Sequence, residues 1–117
     1  LACIIDWEAN GESYEGKLAV ANVVLNRVRS SAYPNSISGV IYQRSQFSGV
    51  SDGAGSPSAK FQSRINSGLR SQACMDAAVE ALSGHNNIGG YTSFRMISAA
   101  NISSMSSYVI IGNHVFH

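Results

Sequence analysis

Apolar positions recur at helical spacing twice along this chain and at strand spacing near its end. The clearer helical run lies between Tyr14 and Arg29. Leu18, Ala21, Leu25 and Val28 follow one face, and Val20 and Val24 widen the stripe. Ser13 stands where an N-cap is needed, and Glu15 lies in the first turn. Arg27 and Arg29 close the last turn, where cations meet the helix dipole favourably. Before this run, Leu1 to Ala9 reads as a short helix with Cys3, Ile4, Ile5 and Trp7 on its buried face, stopped by Asn10-Gly11. After it, Tyr33-Pro34-Asn35-Ser36 predicts a turn, and Ile37 to Tyr42 one or two helical turns. The second clear helix runs from about Arg70 to Leu82, with Cys74, Ala77, Ala78, Ala81 and Leu82 as one face and Gly84 as its stop.

Between these helices, Ser45 to Gly68 is rich in Ser and Gly and weakly patterned. It reads as a long loop, either functional or a simple insertion. Beyond Gly89-Gly90 the character changes. Tyr91 to Met96 reads as a strand, and Tyr108 to Ile111, Gly112-Asn113 and His114 to Phe116 as a hairpin. N-terminal helices followed by a small antiparallel C-terminal sheet define an α+β fold.

The chain has 117 residues, 44% hydrophobic and 13% charged, with a net charge of +1. That supports one core and one domain, residues 1–117. The charge balance argues against a nucleic-acid binder, which would carry a Lys/Arg stripe. No stretch reaches the roughly 18 apolar residues needed to span a bilayer. With few charges, the surface is left to Ser, Asn, Gln and Gly, which suits a neutral, hydroxyl-rich ligand such as a glycan. The chain opens directly on the apolar run Leu1 to Ile5 without a visible signal peptide, as expected of a domain trimmed from a longer precursor. Cys3 and Cys74 read as two buried thiols rather than a disulfide framework. His85, His114 and His117 match no metal-binding spacing, and neither a phosphate-binding loop nor a G-x-S-x-G elbow is present. Neither a metal nor another cofactor is expected.

Carboxylates remain, and there are seven. Asp76 and Glu80 lie one turn apart on a helix and read as a solvated face; Asp52 lies in the long loop. Asp6, Glu8, Glu12 and Glu15 crowd around the Asn10-Gly11 break. Asp6 and Glu8 are about 200° apart on a helix, so they cannot share a site. Glu8 sits in the last turn of an apolar helix beside Trp7. Desolvation and the C-terminal helix dipole both disfavour its ionised form. A carboxylic acid that keeps its proton near neutral pH is what glycoside cleavage needs to protonate the leaving oxygen.

The run Glu8-Ala9-Asn10-Gly11-Glu12, then Tyr14-Glu15-Gly16, then Ala19-Val20-Ala21-Asn22-Val23-Val24-Leu25-Asn26-Arg27-Val28, resembles the start of the SleB/CwlJ-type cell-wall hydrolase domain. That family reads E-A-R-G-E, Y-E-G-Q and A-V-A-x-V-V-L-N-R-V. Tyr33-Pro34-Asn35-Ser36-Ile37, Val40-Ile41-Tyr42-Gln43 and Gln46-Phe47-Ser48 resemble its next elements. Gly89-Gly90 and Ile111-Gly112-Asn113-His114-Val115-Phe116 resemble its last ones. The similarity covers the whole chain and is weakest over residues 49–69. Departures are Asn10 at the motif's Arg, the run Tyr91 to Met96 after the double glycine, and Asn101 to Ser107, where the family often carries a Trp.

The resemblance implies a small lysozyme-like α+β domain. It implies cleavage of the bond between N-acetylmuramic acid and N-acetylglucosamine in peptidoglycan by lytic transglycosylation, leaving 1,6-anhydro ends. Glu8 matches the family's catalytic acid. Glu12 either orients groups at the site or braces the break between helices. Gln43, Gln46, Phe47 and Ser48 are candidate sugar contacts, with Phe47 either a platform or a core plug. Tyr91, Ser93 and Phe94 are candidates from the sheet side, and His114 from the hairpin. Asn26 and Arg27 are expected to tie segments together rather than touch sugar. The expected setting is extracytoplasmic, a secreted monomer acting on cell wall or on spore cortex during germination. Two alternatives stand beside this reading. One is a hydrolytic muramidase, which would use a second carboxylate such as Glu12, Glu15 or Asp52 to manage a water. The other is a wall-binding module without activity.

Overall fold

The computed structural model describes residues 1–117. Five helices come first: α1 (Ala2–Ala9), α2 (Tyr14–Arg29), α3 (Ile37–Ile41), α4 (Ala59–Ser67) and α5 (Gln72–Leu82). Three short strands follow: β1 (Phe94–Met96), β2 (Val109–Ile111) and β3 (His114–Phe116), with 3-10 turns at Ile97–Ala99 and Ile102–Ser104. The fold is α+β, with the sheet confined to the C-terminal part.

The expected stripe on α2 is an entire buried surface, because every residue from Gly16 to Arg27 is buried. Elements pack against it from three sides. Ile5 of α1 and Cys74, Ala77, Ala78 and Ala81 of α5 meet Leu18, Ala21 and Leu25; the small side chains let α5 approach closely. Ile4, Val40, Ile41, Phe47, Val50 and Phe61 gather around Val24. Ala9, Ile88 and Phe116 gather around Ala19, Val20 and Val23.

The sheet has the order β1-β3-β2 and is antiparallel throughout. Its register aligns Phe94, Phe116 and Val109, and likewise Met96, His114 and Ile111. Strand alternation puts these two rows on one face. Arg95, Val115 and Ile110 align on the opposite face.

A helix without a solvent face cannot leave its polar side chains unpaired. On α2 they bond to neighbouring loops. Lys17 Nζ donates to the carbonyls of Asn10 and Glu12, at 2.9 and 2.5 Å, holding the turn after α1. Asn22 Nδ2 donates to His85 O at 3.0 Å, and Asn26 Nδ2 to Gly89 O and Tyr91 O at 2.8 Å each. Arg27 Nε donates to Thr92 O at 2.7 Å. The loop from His85 to Thr92 is thereby tied down along α2, and it delivers β1.

Two expectations are corrected. The stretch Ser45 to Gly68 is not loop throughout, since it contains α4. Ser58 caps that helix by accepting from the Phe61 amide at 3.1 Å, and Phe61 is its one buried residue. Ile65, one turn on, packs against the same core only partly buried, and the surrounding Ser, Gln, Asn, Lys and Arg dilute the apolar signal. Leu82 is 58% exposed rather than part of the inner face of α5. Ala81 makes the last inward contact, while Met75, Val79 and Leu82 point outward. The thiols are unbonded; Cys74 is buried and Cys3 only partly so.

Asn26→Ala removes the donor to the Tyr91 carbonyl and one of the two donors to the Gly89 carbonyl, which keeps Asn86 Nδ2 at 2.7 Å. The expected cost is about 2–3 kcal/mol. It should appear as a lower urea midpoint with an unchanged slope.

Candidate active site

The last turn of α1 carries Glu8 into a cleft of about 250 Å³. Its walls are Arg27 of α2, the Gln46-Phe47-Ser48 loop, Phe94, Arg95 and Met96 of β1, and His114 of β3. Trp7, next to Glu8, fixes the loop wall by donating from Nε1 to Ser48 O at 3.1 Å. Its ring meets Phe61 edge-on at 5.4 Å. Gly49 follows with φ of +75°, and a side chain there would meet Trp7 Cζ2 at 3.3 Å. Arg27 braces the opposite side: its guanidinium lies 5.0 Å from the Tyr33 ring and 5.3 Å from Phe47. It also donates to Gln46 Oε1 at 3.2 Å. Phe94 lies 6.4 Å from Phe47 and meets the His114 ring edge-on at 5.1 Å.

The seven carboxylates have different surroundings. Asp6, buried on the other side of α1, takes the Arg70 amide and guanidinium and lies 3.5 Å from Arg64 Nε. Glu12 accepts from Asn113, Glu15 from Asn87, Asp52 from the Ala54 and Ser56 amides, Asp76 from Gln72, and Glu80 from Tyr14. Glu8 alone forms neither a hydrogen bond nor an ion pair within the protein. Desolvation therefore acts on it unopposed and pushes its carboxyl above the usual range.

Glu12 stands just behind this cleft. Burial pushes its carboxyl up, but Asn113 donates to it from the backbone at 2.9 Å and the side chain at 3.1 Å. With the charges of His114 and Lys17 added, the net effect holds it below the usual range. Gly112 makes the approach possible: its φ is +60°, and a Cβ there would lie 2.8 Å from Glu12 Oε1. His114 Nδ1 is buried, lacks a hydrogen-bond partner and lies 3.7 Å from Glu12 Oε1. Desolvation lowers the His114 pKa and outweighs the pull of Glu12, so the ring gives up its charge more readily than a free imidazole.

Of the candidate residues, the structure brings Glu8, Gln46, Phe47, Ser48, Phe94 and His114 together. Phe47 is buried in the core and offers the cleft an edge rather than an open platform. Glu12, Gln43, Tyr91 and Ser93 fall outside the cleft lining. Glu12 is held by the hairpin. Gln43 has its Oε1 buried in the protein. The Tyr91 hydroxyl bonds to Ser107, and Ser93 alternates to the far face of the β1 extension, its backbone paired with His117. Arg95 and Met96 were missed as lining residues; the strand reading contained them without showing which edge of the sheet meets α1. Arg27 was expected as a tie and is also a wall. Two further cavities share lining residues with the cleft. A cavity of about 790 Å³ shares Gln46, Phe47 and Ser48 with it, and one of about 590 Å³ shares Arg95.

The two glutamates should respond to pH in opposite directions. The Glu8 pKa is raised on folding, so ionising it opposes folding as pH climbs from its unfolded value through the folded one. Glu8→Gln should therefore melt a few degrees above wild type at pH 7, the gain vanishing in acid. The Glu12 pKa is depressed, so its contribution is full above the unfolded value and lost as pH falls through the folded one. Glu12→Gln should melt below wild type at pH 7, the deficit shrinking in acid. Calorimetric scans from pH 3 to 8 check both.

Comparison with known proteins agrees with this architecture. The family model described as Cell Wall Hydrolase matches residues 11–117. The spore cortex-lytic enzyme of Halalkalibacterium halodurans is 34% identical over 112 residues, covering 93% of this chain and 31% of that protein. The spore cortex-lytic enzyme of Bacillus subtilis is 49% identical over 53 residues, 45% of this chain and 17% of that protein. The chain thus spans well under half the length of these relatives. The catalytic domain of the Bacillus cereus SleB protein superposes with a TM-score of 0.78 at 29% identity, covering 98% of this chain and 84% of that one. The catalytic domain of the germination-specific lytic transglycosylase SleB from Bacillus anthracis gives 0.72 at 26% identity, covering 98% and 88%. With a helical N-terminal part, a three-stranded C-terminal sheet and a family match over most of its length, the chain belongs to the Cell Wall Hydrolase family.

Proposed function

We propose that this chain is a peptidoglycan lytic transglycosylase, with Glu8 as both acid and base. The observation that carries the reading is the isolation of Glu8. It is the one carboxylate lining the cleft, and the one carboxylate in the protein without a hydrogen-bond donor or cation. The family match begins at residue 11, so the role of Glu8 rests on this geometry and not on the matched span.

The chemistry uses a single proton twice. Glu8 gives its proton to the glycosidic oxygen as the bond from that oxygen to C1 of the muramic residue breaks. The resulting carboxylate takes the proton of the C6 hydroxyl of the same residue as its oxygen bonds to C1. The product is a 1,6-anhydro ring, Glu8 is again protonated, and water is not consumed. The nucleophile belongs to the substrate, so a second carboxylate is not required to hold a water. Gln46, Ser48 and His114 supply polar edges for the sugar, and Phe94 and Met96 its apolar side. The neighbouring cavities that share its lining residues suit an extended strand rather than a small molecule that is enclosed.

The hydrolytic alternative needs a second carboxylate facing Glu8. Glu12 is engaged by Asn113 and Glu15 by Asn87. Asp52 lines the adjoining cavity but spends its Oδ1 on the Ala54 and Ser56 amides. The relatives' names favour spore cortex as the substrate, outside the cytoplasm, over vegetative wall, and the chain is proposed to work as one copy.

Mass analysis of digested peptidoglycan tests the outcome. Products should lack one water relative to muramidase products. Glu8→Gln should lower turnover by at least about 10²–10⁴-fold while still binding glycan. Normal turnover by Glu8→Gln, or products with the full mass of hydrolysis, would remove the assignment. For wild type, kcat/KM should fall about tenfold per pH unit above the raised Glu8 pKa, because the acid form is then lost.

A further inference from the structure

We infer that the cavity beyond Arg95 is a carboxylate site, and that Arg95 selects glycan strands whose muramic residues carry a peptide with a free carboxylate. The inference rests on the peptidoglycan reading above and narrows its substrate class. Arg95 is the one residue that lines both the Glu8 cleft and the neighbouring cavity of about 590 Å³. Strand alternation explains how it does so. Phe94 and Met96 lie on the face shared with His114, and Arg95 between them turns to the other face. One strand thus offers apolar side chains to a sugar in the cleft and a cation to whatever that sugar carries beside it.

The chemistry of the cavity is that of an anion site. Arg95 is exposed and is not engaged in an ion pair or a side-chain hydrogen bond. Across the cavity stand Asn101, Ser104, Ser107 and His117, and neither Asp nor Glu lines it. His117 is fixed through two backbone bonds to Ser93, at 3.0 and 3.1 Å. Its Nε2 is buried without a partner. A neutral sugar does not call for a guanidinium. A carboxylate does, because the planar fork matches its two oxygens. The anion that a peptide-bearing muramic residue contributes is a carboxylate, carried along the peptide that leaves the C3 side of the ring whose C1 bond Glu8 would cut. Both walls fall in the segments where this chain departs from the family pattern, Tyr91 to Met96 and Asn101 to Ser107. The selection is therefore a property of this chain's own residues.

The test compares glycan strands bearing peptides with free carboxylates against the same strands with those carboxylates converted to amides. For wild type, kcat/KM should favour the acid strands by about tenfold, the scale of one charge-assisted pair. Arg95→Gln should bring the ratio near one, and Arg95→Lys should keep part of it. A wild-type ratio of one, or a preference that survives Arg95→Gln, overturns the inference. A second measurement separates it from the cleavage reading. The Glu8→Gln protein is titrated by NMR with a muramoyl peptide carrying a free carboxylate. Shifts centred on Arg95, Ser104 and His117, lost with the amide ligand and in the Arg95→Gln double variant, sustain the carboxylate site. Their absence overturns it. If wild type cleaves neither strand, the cleavage reading fails and the titration alone decides the pocket.

Discussion

Polar side chains on a helix with no face in water must bond to something, and here their partners are the loops that build the cleft. Helix α2 is buried from Gly16 to Arg27, yet it carries Lys17, Asn22, Asn26 and Arg27 within that span. Each would be costly if left unpaired. Lys17 bonds to the carbonyls of the turn that follows Glu8. Asn22, Asn26 and Arg27 bond to carbonyls between His85 and Thr92, the segment that feeds β1. The two sides of the site are distant in sequence and become neighbours because one helix satisfies its polar groups on both. Motif residues thus serve as the frame of the cleft, and Arg27 both ties the frame and lines the cleft.

Local environment, more than residue type, divides the labour among the acids near the Asn10-Gly11 break. Asp6 turns to the side of α1 where Arg64 and Arg70 meet it, and it ties α1 to the segment joining α4 and α5. Glu12 points to the C-terminal hairpin, where Gly112 leaves room and Asn113 donates twice. Glu8 is offered nothing. Glu12, which receives donors, is held below the usual carboxylate range, whereas Glu8, desolvated without them, is pushed above it, the direction that the proposed acid role requires.

How much of this could be read from the sequence depended on whether the signal was local. Helix α2 was legible because apolar residues recur through it and Ser13 caps it, as its acceptance from the Gly16 amide shows. The hairpin was legible from Gly112-Asn113 between apolar runs. Helix α4 was not, since its inward face is just Phe61 and the partly buried Ile65 among polar residues. Leu82 was misplaced because a helical wheel does not show where the neighbouring elements end. The separation of Asp6 from Glu8 followed from helix geometry alone. The clasp between Glu12 and Asn113 spans 101 residues, and neither end carries a mark of the other. Likewise, that Arg95 borders two cavities depends on which edge of the sheet meets α1, a fact of packing that no short motif records.

The competition between burial and charge then decides what kind of acid Glu8 is. A protonated His114 in the same cleft would favour the ionised form of Glu8. Glu12, 3.7 Å from the ring, pulls His114 toward that protonated form. Burial of the ring outweighs this pull and favours the neutral imidazole. Glu12 itself resists the same burial only because Asn113 offers two hydrogen bonds in addition to nearby charge. The hairpin therefore absorbs one carboxylate as an anion without favouring a cation beside the other. The hydrophobic closure around Phe94, Phe116 and His114 is in this sense part of the acid, although none of those side chains exchanges a proton.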